Sequence, residues 1–411
     1  MRAVALSSLL RPRNQLQKIA ILGHATAPYS TSSSSPPSQP SPPSSPLPST
    51  SPTTHFNPDT YLHRARQKFA SQPATLIPDI LSPTPSHLLT LSLADHVPAL
   101  FPPGHITRPL PSRRDTPPAD LVLPQGHHLV YFPPQLPPSR LLPDGTDPAH
   151  CPGAPFVRRM WAGGELVFRD GWDAALRVDG RRAVCAERVL AERAVLKMGP
   201  AEGQEKVFVE VERLYGVGRR DARGEEVMSD REIFGDVVGG AGAVVREVRR
   251  LVFMRERNTR TGEARIVKAP AAPEFAFSLK PDATLLFHFS ALTYNAHSIH
   301  FDPDYVRGKE GYRGLLVHGP LSLVLMLSAL RACLAQVQSA AAPKSDPARP
   351  MPYVKSFTYR NLAPLYVNEE MRVCLRRTKP DGAEWDAWIE GPEGGLAVKG
   401  HAVTMGIAGT P

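Results

Sequence analysis

Cysteine is scarce in this chain: Cys151, Cys185, Cys333 and Cys374 are the four in 411 residues, and none sits in a CxxC pair or a Cys/His cluster. That spacing gives no basis for a disulfide framework or a structural zinc site, and it makes a reducing compartment the default. Acidic residues are missing altogether before Asp59. No GxxxxGK loop, GxSxG elbow or HExxH helix occurs, and Gly239, Gly240 and Gly242 do not make a GxGxxG turn after a strand. Phosphate-loop, nucleophilic-serine and zincin chemistry therefore have no carrier. Aromatic residues make up only 7% of the chain and its arginines are scattered, so a formal charge of +9 does not amount to a nucleic-acid surface. The charge suits an acidic carrier or a phosphate-bearing cofactor instead.

Where the acids are missing, Arg2, Arg11, Arg13 and Lys18 stand among Leu, Ala, Val and Ile, followed by a Ser/Thr/Pro tract. This composition predicts a mitochondrial transit peptide over 1–30 and a matrix location, whereas a secretory core would be broken by Arg11 and Arg13. A basic tail with no address is the alternative. Residues 31–58 read as a disordered Ser/Pro-rich linker, because they bury too little apolar surface to offset the entropy of ordering. Folding is expected from Asp59, beginning with a helix over 60–69. Between 98 and 155 the prolines recur every few residues, which forbids long helices and central strands and predicts an irregular surface excursion.

Regular structure resumes at 158–168. Runs at 189–198, 205–215 and 246–255 interleave apolar and charged residues, as Val207, Val209 and Val211 do with Glu210 and Glu212, and predict antiparallel strands with one wet face. A second unit starts near Phe275, with a strand over 284–292, a histidine-rich loop or short helix, and a helix over 315–334 that is apolar nearly all round and so buried. Four alternating runs follow at 354–362, 371–377, 384–389 and 396–405, separated by turns at 380–382 and 391–395. The buried helix is interrupted by His318, Pro320, Ser322 and Ser328 and closed by Arg331. It falls short of the roughly 20 residues a bilayer needs, so no transmembrane segment is expected. The reading is an α+β protein with a curved antiparallel sheet wrapped around a buried helix.

The residues that carry chemistry are Tyr294-Asn295-Ala296-His297-Ser298-Ile299-His300-Phe301-Asp302-Pro303 and Gly314-Leu315-Leu316-Val317-His318-Gly319. Three histidines gather around one helix start. Histidine exchanges protons near neutral pH, and a glycine N–H at a helix N-terminus can donate to a polarised thioester carbonyl. Asp302 is placed to cap a short helix beginning at Pro303. His297, His300 and Asp302 superficially offer metal ligands, but without the Glu of HExxH or a second ligand cluster no metal is expected.

The two-part motif resembles the signature of the MaoC-like hydratases and dehydratases, in which an Asp-x-Asn-Pro-Ile/Leu-His run precedes the glycine-led helix. Here the final His falls on His300, the Asp position on Asn295 and the Asn position on His297. The variant Tyr-Asn-Ala-His-x-Ile-His resembles the subgroup of mitochondrial type 2 3-hydroxyacyl-thioester dehydratases and mesaconyl-C4-CoA hydratases. So does Arg159-Met160-Trp161-Ala162-Gly163-Gly164.

This resemblance implies a tandem, double hot-dog fold, each unit a curved antiparallel sheet around a central buried helix. The N-terminal unit, 59–271, would be degenerate and carry the Pro-rich insertion. The C-terminal unit, 272–411, would be catalytic. The implied reaction is reversible dehydration of (R)-3-hydroxyacyl thioesters of acyl carrier protein or coenzyme A in mitochondrial fatty acid synthesis, without a cofactor and with room for a homodimer. His300 is the expected proton carrier and Asn295 holds the hydroxyl or water in line with it. Gly319, His297, His318 and Tyr294 would surround the substrate. Two alternatives stand beside this one: a hydratase for a mesaconyl-type dicarboxylic acyl-CoA, marked by a cationic residue in the acyl pocket, and a non-catalytic acyl-thioester-binding protein.

Overall fold

Eleven strands pair into a single antiparallel sheet. In chain order they are β1 (Thr75–Ile80), β2 (Phe156–Phe168), β3 (Arg182–Val189), β4 (Val195–Lys197), β5 (Lys206–Val217), β6 (Val245–Arg255), β7 (Phe275–Leu279), β8 (Tyr353–Asn361), β9 (Met371–Arg377), β10 (Glu384–Glu390) and β11 (Leu396–Met405). The helices are α1 (Pro58–Ala70), α2 (Pro83–Ala94), α3 (Trp172–Ala175), α4 (Asp230–Val238), α5 (Ala283–Thr293), α6 (Pro303–Gly308) and α7 (Gly319–Ala341). This computed structural model describes residues 56–101, 121–256, 267–269, 271–341, 351–379 and 381–405. The expected transit peptide, and the linker up to residue 55, lie outside the described residues.

The strand order is β1-β3-β5-β6-β2-β8-β11-β10-β9-β7, with β4 paired to β5. Outward from the β2–β8 seam both halves repeat one pattern. Each has a first strand and helix (β1–α2, β7–α5), a long connection, and then four long antiparallel strands whose first lies at the seam. The seam is a ladder from Gly163↔Arg360 to Val167↔Ser356, which joins the halves into one sheet. This is the α+β double hot-dog.

In the C-terminal half the long connection contains α7. Its stretch Gly319–Ser339 is long and apolar enough to cross a membrane by composition. Here it is a core helix: Leu321, Leu323, Val324, Leu325, Met326 and Leu327 are all buried. In the N-terminal half the matching connection is the proline-rich stretch, and the expectation of a surface excursion is overturned for residues 127–132, while 137–140 are exposed as a surface excursion would be. Leu129, Val130, Tyr131 and Phe132 share one core cluster with α7 and with Leu166, Ala183 and Tyr215. Proline denies this segment a regular helix beyond the short turn His127–Val130, yet its side chains still fill the space under the sheet. Gln125 ties it across the seam, donating from Nε2 to the Val354 carbonyl at 2.7 Å and accepting the Val354 N–H at 2.9 Å.

Three further expectations are corrected. Residues 284–292 form helix α5, not a strand. Asp282 accepts the Leu285 N–H at 2.7 Å, and Leu285, Leu286 and Phe289 are buried at helical spacing, which a short apolar run does not reveal by periodicity alone. Residues 189–198 are not one strand, because the chain turns at Ala191–Arg193 between β3 and β4. The wet face of β5 is covered. Glu210 and Glu212 are buried beneath the arginine pairs Arg193/Arg250 and Arg188/Arg246, while Val207, Val209 and Val211 share a core cluster with Tyr61, Ala65 and Phe69 of α1.

Candidate active site

The motif loop is shaped by its two ends. At the C-terminus of α5, Tyr294 adopts a left-handed conformation (φ 50°), which turns the chain so that the Asn295 N–H bonds back to the Ser290 carbonyl at 2.8 Å. The Asn295 side-chain oxygen accepts the His297 N–H at 3.1 Å, leaving its NH₂ as the free donor. A short turn then sets His300, whose N–H bonds to the His297 carbonyl. Asp302 caps α6 through the N–H groups of Asp304 and Tyr305. The return segment pairs the Leu316 N–H with the Ile299 carbonyl at 3.0 Å and leads directly into α7.

These elements line a cleft of about 710 Å³ that the N-terminal half closes with Arg159, Met160 and Trp161. Asn295, His297, His300 and Gly319 all stand on its wall. His318 does not; it is fully buried behind His300, its ring stacked at 3.6 Å, with Nε2 against the Ser290 hydroxyl at 2.8 Å. Tyr294 is also off this wall. It is 54% exposed and borders a smaller cavity of about 110 Å³ that shares Arg159 and Asn295 with the cleft. Of the expected site residues, four therefore meet in the cleft, one supports it from behind and one lies beside it.

The imidazole states follow from burial. His300 Nδ1 lies 2.8 Å from the Leu316 carbonyl, which can only accept, so Nδ1 carries the proton and Nε2 keeps its lone pair. Burial pushes the His300 pKa down to about 4, against the Leu316 hydrogen bond and with help from the nearby Arg159 charge. His297 and His318 are held well below the ordinary histidine range by burial first and by neighbouring imidazoles second. At neutral pH the cluster is thus a set of neutral bases. Gly319 opens α7, where the N–H groups lack intrahelical acceptors and the helix dipole is positive. A Cβ at position 319 would meet Asn361 Nδ2 at 2.7 Å and Trp161 Cβ at 2.9 Å, so glycine is what lets β2 and β8 approach the helix start.

Sequence reasoning missed Asp144 and Asn361 and gave Arg159 no role in the site. Asp144 is buried, with Oδ2 3.7 Å from His297 Nε2, and its carbonyl accepts the Ser298 N–H at 2.9 Å. The Pro143-Asp144-Gly145 run reads as an ordinary surface turn, so nothing local marks it. Arg159 makes no hydrogen bond or ion pair with any described residue; burial lowers its pKa, against the opposing pull of the Asp144 and Asp147 charges. Asn361 donates to the Trp161 carbonyl at 2.8 Å and keeps its Oδ1 buried without a partner. His297, His300 and Asp302 do not gather as metal ligands. Among the described residues the group with such spacing is Asp147, His150 and Glu187, where Glu187 is already paired with Arg213 at 3.1 Å.

Comparison with known proteins points the same way. A family model described as hydroxyacyl-thioester dehydratase type 2 matches residues 126–367. The chain is 28% identical over 286 residues to a mesaconyl-C(4)-CoA hydratase of Chloroflexus aurantiacus, covering 69% of this chain and 84% of that protein. It is 22% identical over 257 residues to the mitochondrial hydroxyacyl-thioester dehydratase type 2 of Schizosaccharomyces pombe, covering 62% and 77%. A solved MaoC-like dehydratase from Phytophthora capsici aligns with 13% identity and a TM-score of 0.48, over 83% of this chain and 99% of that one.

Proposed function

We propose that this chain, which belongs to the hydroxyacyl-thioester dehydratase type 2 family, interconverts (R)-3-hydroxyacyl and trans-2-enoyl thioesters at the His300 cleft. It is a hydro-lyase of the hydratase/dehydratase type. The observation that carries the reading is a neutral imidazole, with Nε2 unprotonated, in the same cleft as a glycine at a helix start. Dehydration needs a base for the C2 proton and a stabiliser for the enolate oxygen, which are the roles of His300 and the Gly319 N–H. The free NH₂ of Asn295 holds the departing hydroxyl. Under this reading 272–411 is the catalytic unit, and 59–271 closes the cleft and carries the insertion.

The mouth of the cleft suits a phosphate-bearing carrier, coenzyme A or the phosphopantetheine arm of an acyl carrier protein. Lys206 and Arg360 line it and have no ion-pair partner among the described residues, and Lys197 lies beside them over Phe208. The yeast relatives are named mitochondrial, and with the arginine-rich, acid-free N-terminus this supports a mitochondrial enzyme acting in the matrix in fatty acid synthesis.

One observation favours a second substrate class. Arg159 is an unpaired cation at the junction of the cleft and the smaller cavity, whose wall also holds Glu187, Arg213 and Arg249. An acyl chain ending in a carboxylate would fit such a lining better than a long alkyl chain.

The test is loss of enoyl-thioester absorbance with crotonyl-CoA, a long trans-2-enoyl-CoA and mesaconyl-C4-CoA. The parent should hydrate at least one, and His300→Ala should lose roughly 10²- to 10⁴-fold in kcat. A preference for the long chain selects the fatty-acid reading; a preference for mesaconyl-C4-CoA that disappears in Arg159→Met selects the dicarboxylate. Tight binding of all three without turnover would overturn catalysis in favour of an acyl-thioester-binding protein.

A further inference from the structure

We infer that Asp144, delivered by the N-terminal half, supplies the carboxylate that the motif lacks at Asn295, acting through His297 as a positioning residue. The inference rests on the dehydratase reading of the cleft. Asn295 cannot carry a negative charge, and its side-chain oxygen is already committed to the His297 N–H. Among the described residues, Asp144 is the one acid within ion-pair distance of any of the three clustered histidines.

Its position is built rather than incidental. Oδ1 accepts the Thr146 N–H at 3.0 Å and the Thr146 hydroxyl at 2.7 Å, which leaves Oδ2 for His297. The backbone is clamped to the motif loop by the Ser298 N–H. At Gly145 (φ +82°) a Cβ would lie 1.8 Å from the Ala296 carbonyl oxygen, so the two segments touch backbone to backbone. At 3.7 Å Oδ2 stands within ion-pair distance of His297 Nε2, and the gap must shorten by about 0.5–1 Å for a hydrogen bond to form.

The charge balance explains why a carboxylate is needed there. In hydration, water oxygen bonds to C3 while its proton passes to His300 Nε2 and the C2=C3 electrons move onto the thioester oxygen. The imidazolium then returns that proton to C2, so water supplies both the hydroxyl and the hydrogen and the enzyme is unchanged. In between, positive charge sits on His300, which the Leu316 carbonyl favours and the flanking rings and Arg159 oppose. The His297 ring lies edge-on at 5.6 Å, His318 is stacked at 3.6 Å, and Arg159 shares the cleft wall. Asp144 offsets that charge and, once Nε2–H of His297 donates to it, holds the ring in one tautomer.

The experiment is a cycle of Asp144→Asn, His297→Gln and the double variant in the full chain, with Asp144→Glu as the conservative control. Asn keeps the Oδ1 acceptor for Thr146, so folding is preserved. Asp144→Asn should lower kcat by roughly 10²-fold, the lower end of what positioned acid–base groups contribute, with KM unchanged. The double variant should be no slower than the slower single one, and Glu should recover part of the loss. A parent-like kcat in Asp144→Asn, or losses that multiply, would overturn the inference. Histidine titration by NMR separates it from failure of the dehydratase reading. Even if no thioester is turned over, Asp144→Asn should lower the His297 pKa, and an unchanged His297 titration would sink the pairing.

Discussion

The two halves share a strand pattern but fill the space beneath it differently. Under the C-terminal sheet lies a continuous apolar helix whose first residue, Gly319, opens onto the cleft. Under the N-terminal sheet lies a proline-punctuated segment with only short turns, and charge is buried beside it: Glu187 with Arg213, Glu247 with Arg249, and the Tyr215 hydroxyl on Glu247. The difference teaches that one hot-dog scaffold tolerates two kinds of filling and that the site needs both. The regular half provides a helix start and, in the proposed mechanism, the proton carrier. The irregular filling places Asp144 and Gly145 against the motif loop, where a helix would have presented only apolar side chains.

The sharpest way to break this comparison is to make the same truncation in each filling. Leu325→Ala in α7 and Leu129→Ala in the proline-rich segment should each cost about 2–5 kcal/mol in urea unfolding, since both side chains are buried in one cluster. A cost below about 0.5 kcal/mol for Leu129→Ala alone would return that segment to the surface. Next come the two glycines at the meeting of the halves. Gly319→Ala should destabilise by about 1–3 kcal/mol, because side chains of Trp161 and Asn361 must shift. Gly145→Ala should cost more, because a backbone carbonyl cannot give way and φ is positive. The reverse order, read from thermal or urea melts, would contradict the backbone contact.

The smallest effect is in pH. His300 in one half and His128 in the other are both pushed down to about 4 by burial. Folded pKa values below the unfolded value of about 6.5 mean that the unfolded chain binds more protons in this window. Stability is therefore full above that value and falls as pH drops towards 4. In kcat/KM for hydration, only His300 should appear, as an acid limb with an apparent pKa near 4 in place of the ordinary histidine value. That limb should survive His128→Phe. A limb near 6.5 would mean a solvated His300.

Much of the C-terminal half was legible in the sequence because its signals are local: β8 to β11 alternate, α7 is apolar all round, and Asp302-Pro303 spells a helix start. The motif also brought Asn295, His297, His300 and Gly319 to one wall. Failure came where local signals are ambiguous or long-range. Residues 284–292 are short and apolar, so helix and strand read alike. Prolines report what the backbone cannot do and say nothing of burial, which hid Leu129 to Phe132. Asp144 reaches His297 across more than a hundred residues through a turn that looks like any surface turn, and no spacing rule encodes that.

The β2–β8 ladder that joins the halves also sets the mechanics of the cleft. The strands of both halves belong to one sheet, so the two halves cannot swing apart as jaws without breaking the pairs between Gly163 and Val167 on one side and Ser356 and Arg360 on the other. The cleft is a slot of fixed gauge. Its gauge at the helix start is set by how closely Trp161 and Asn361 approach Gly319.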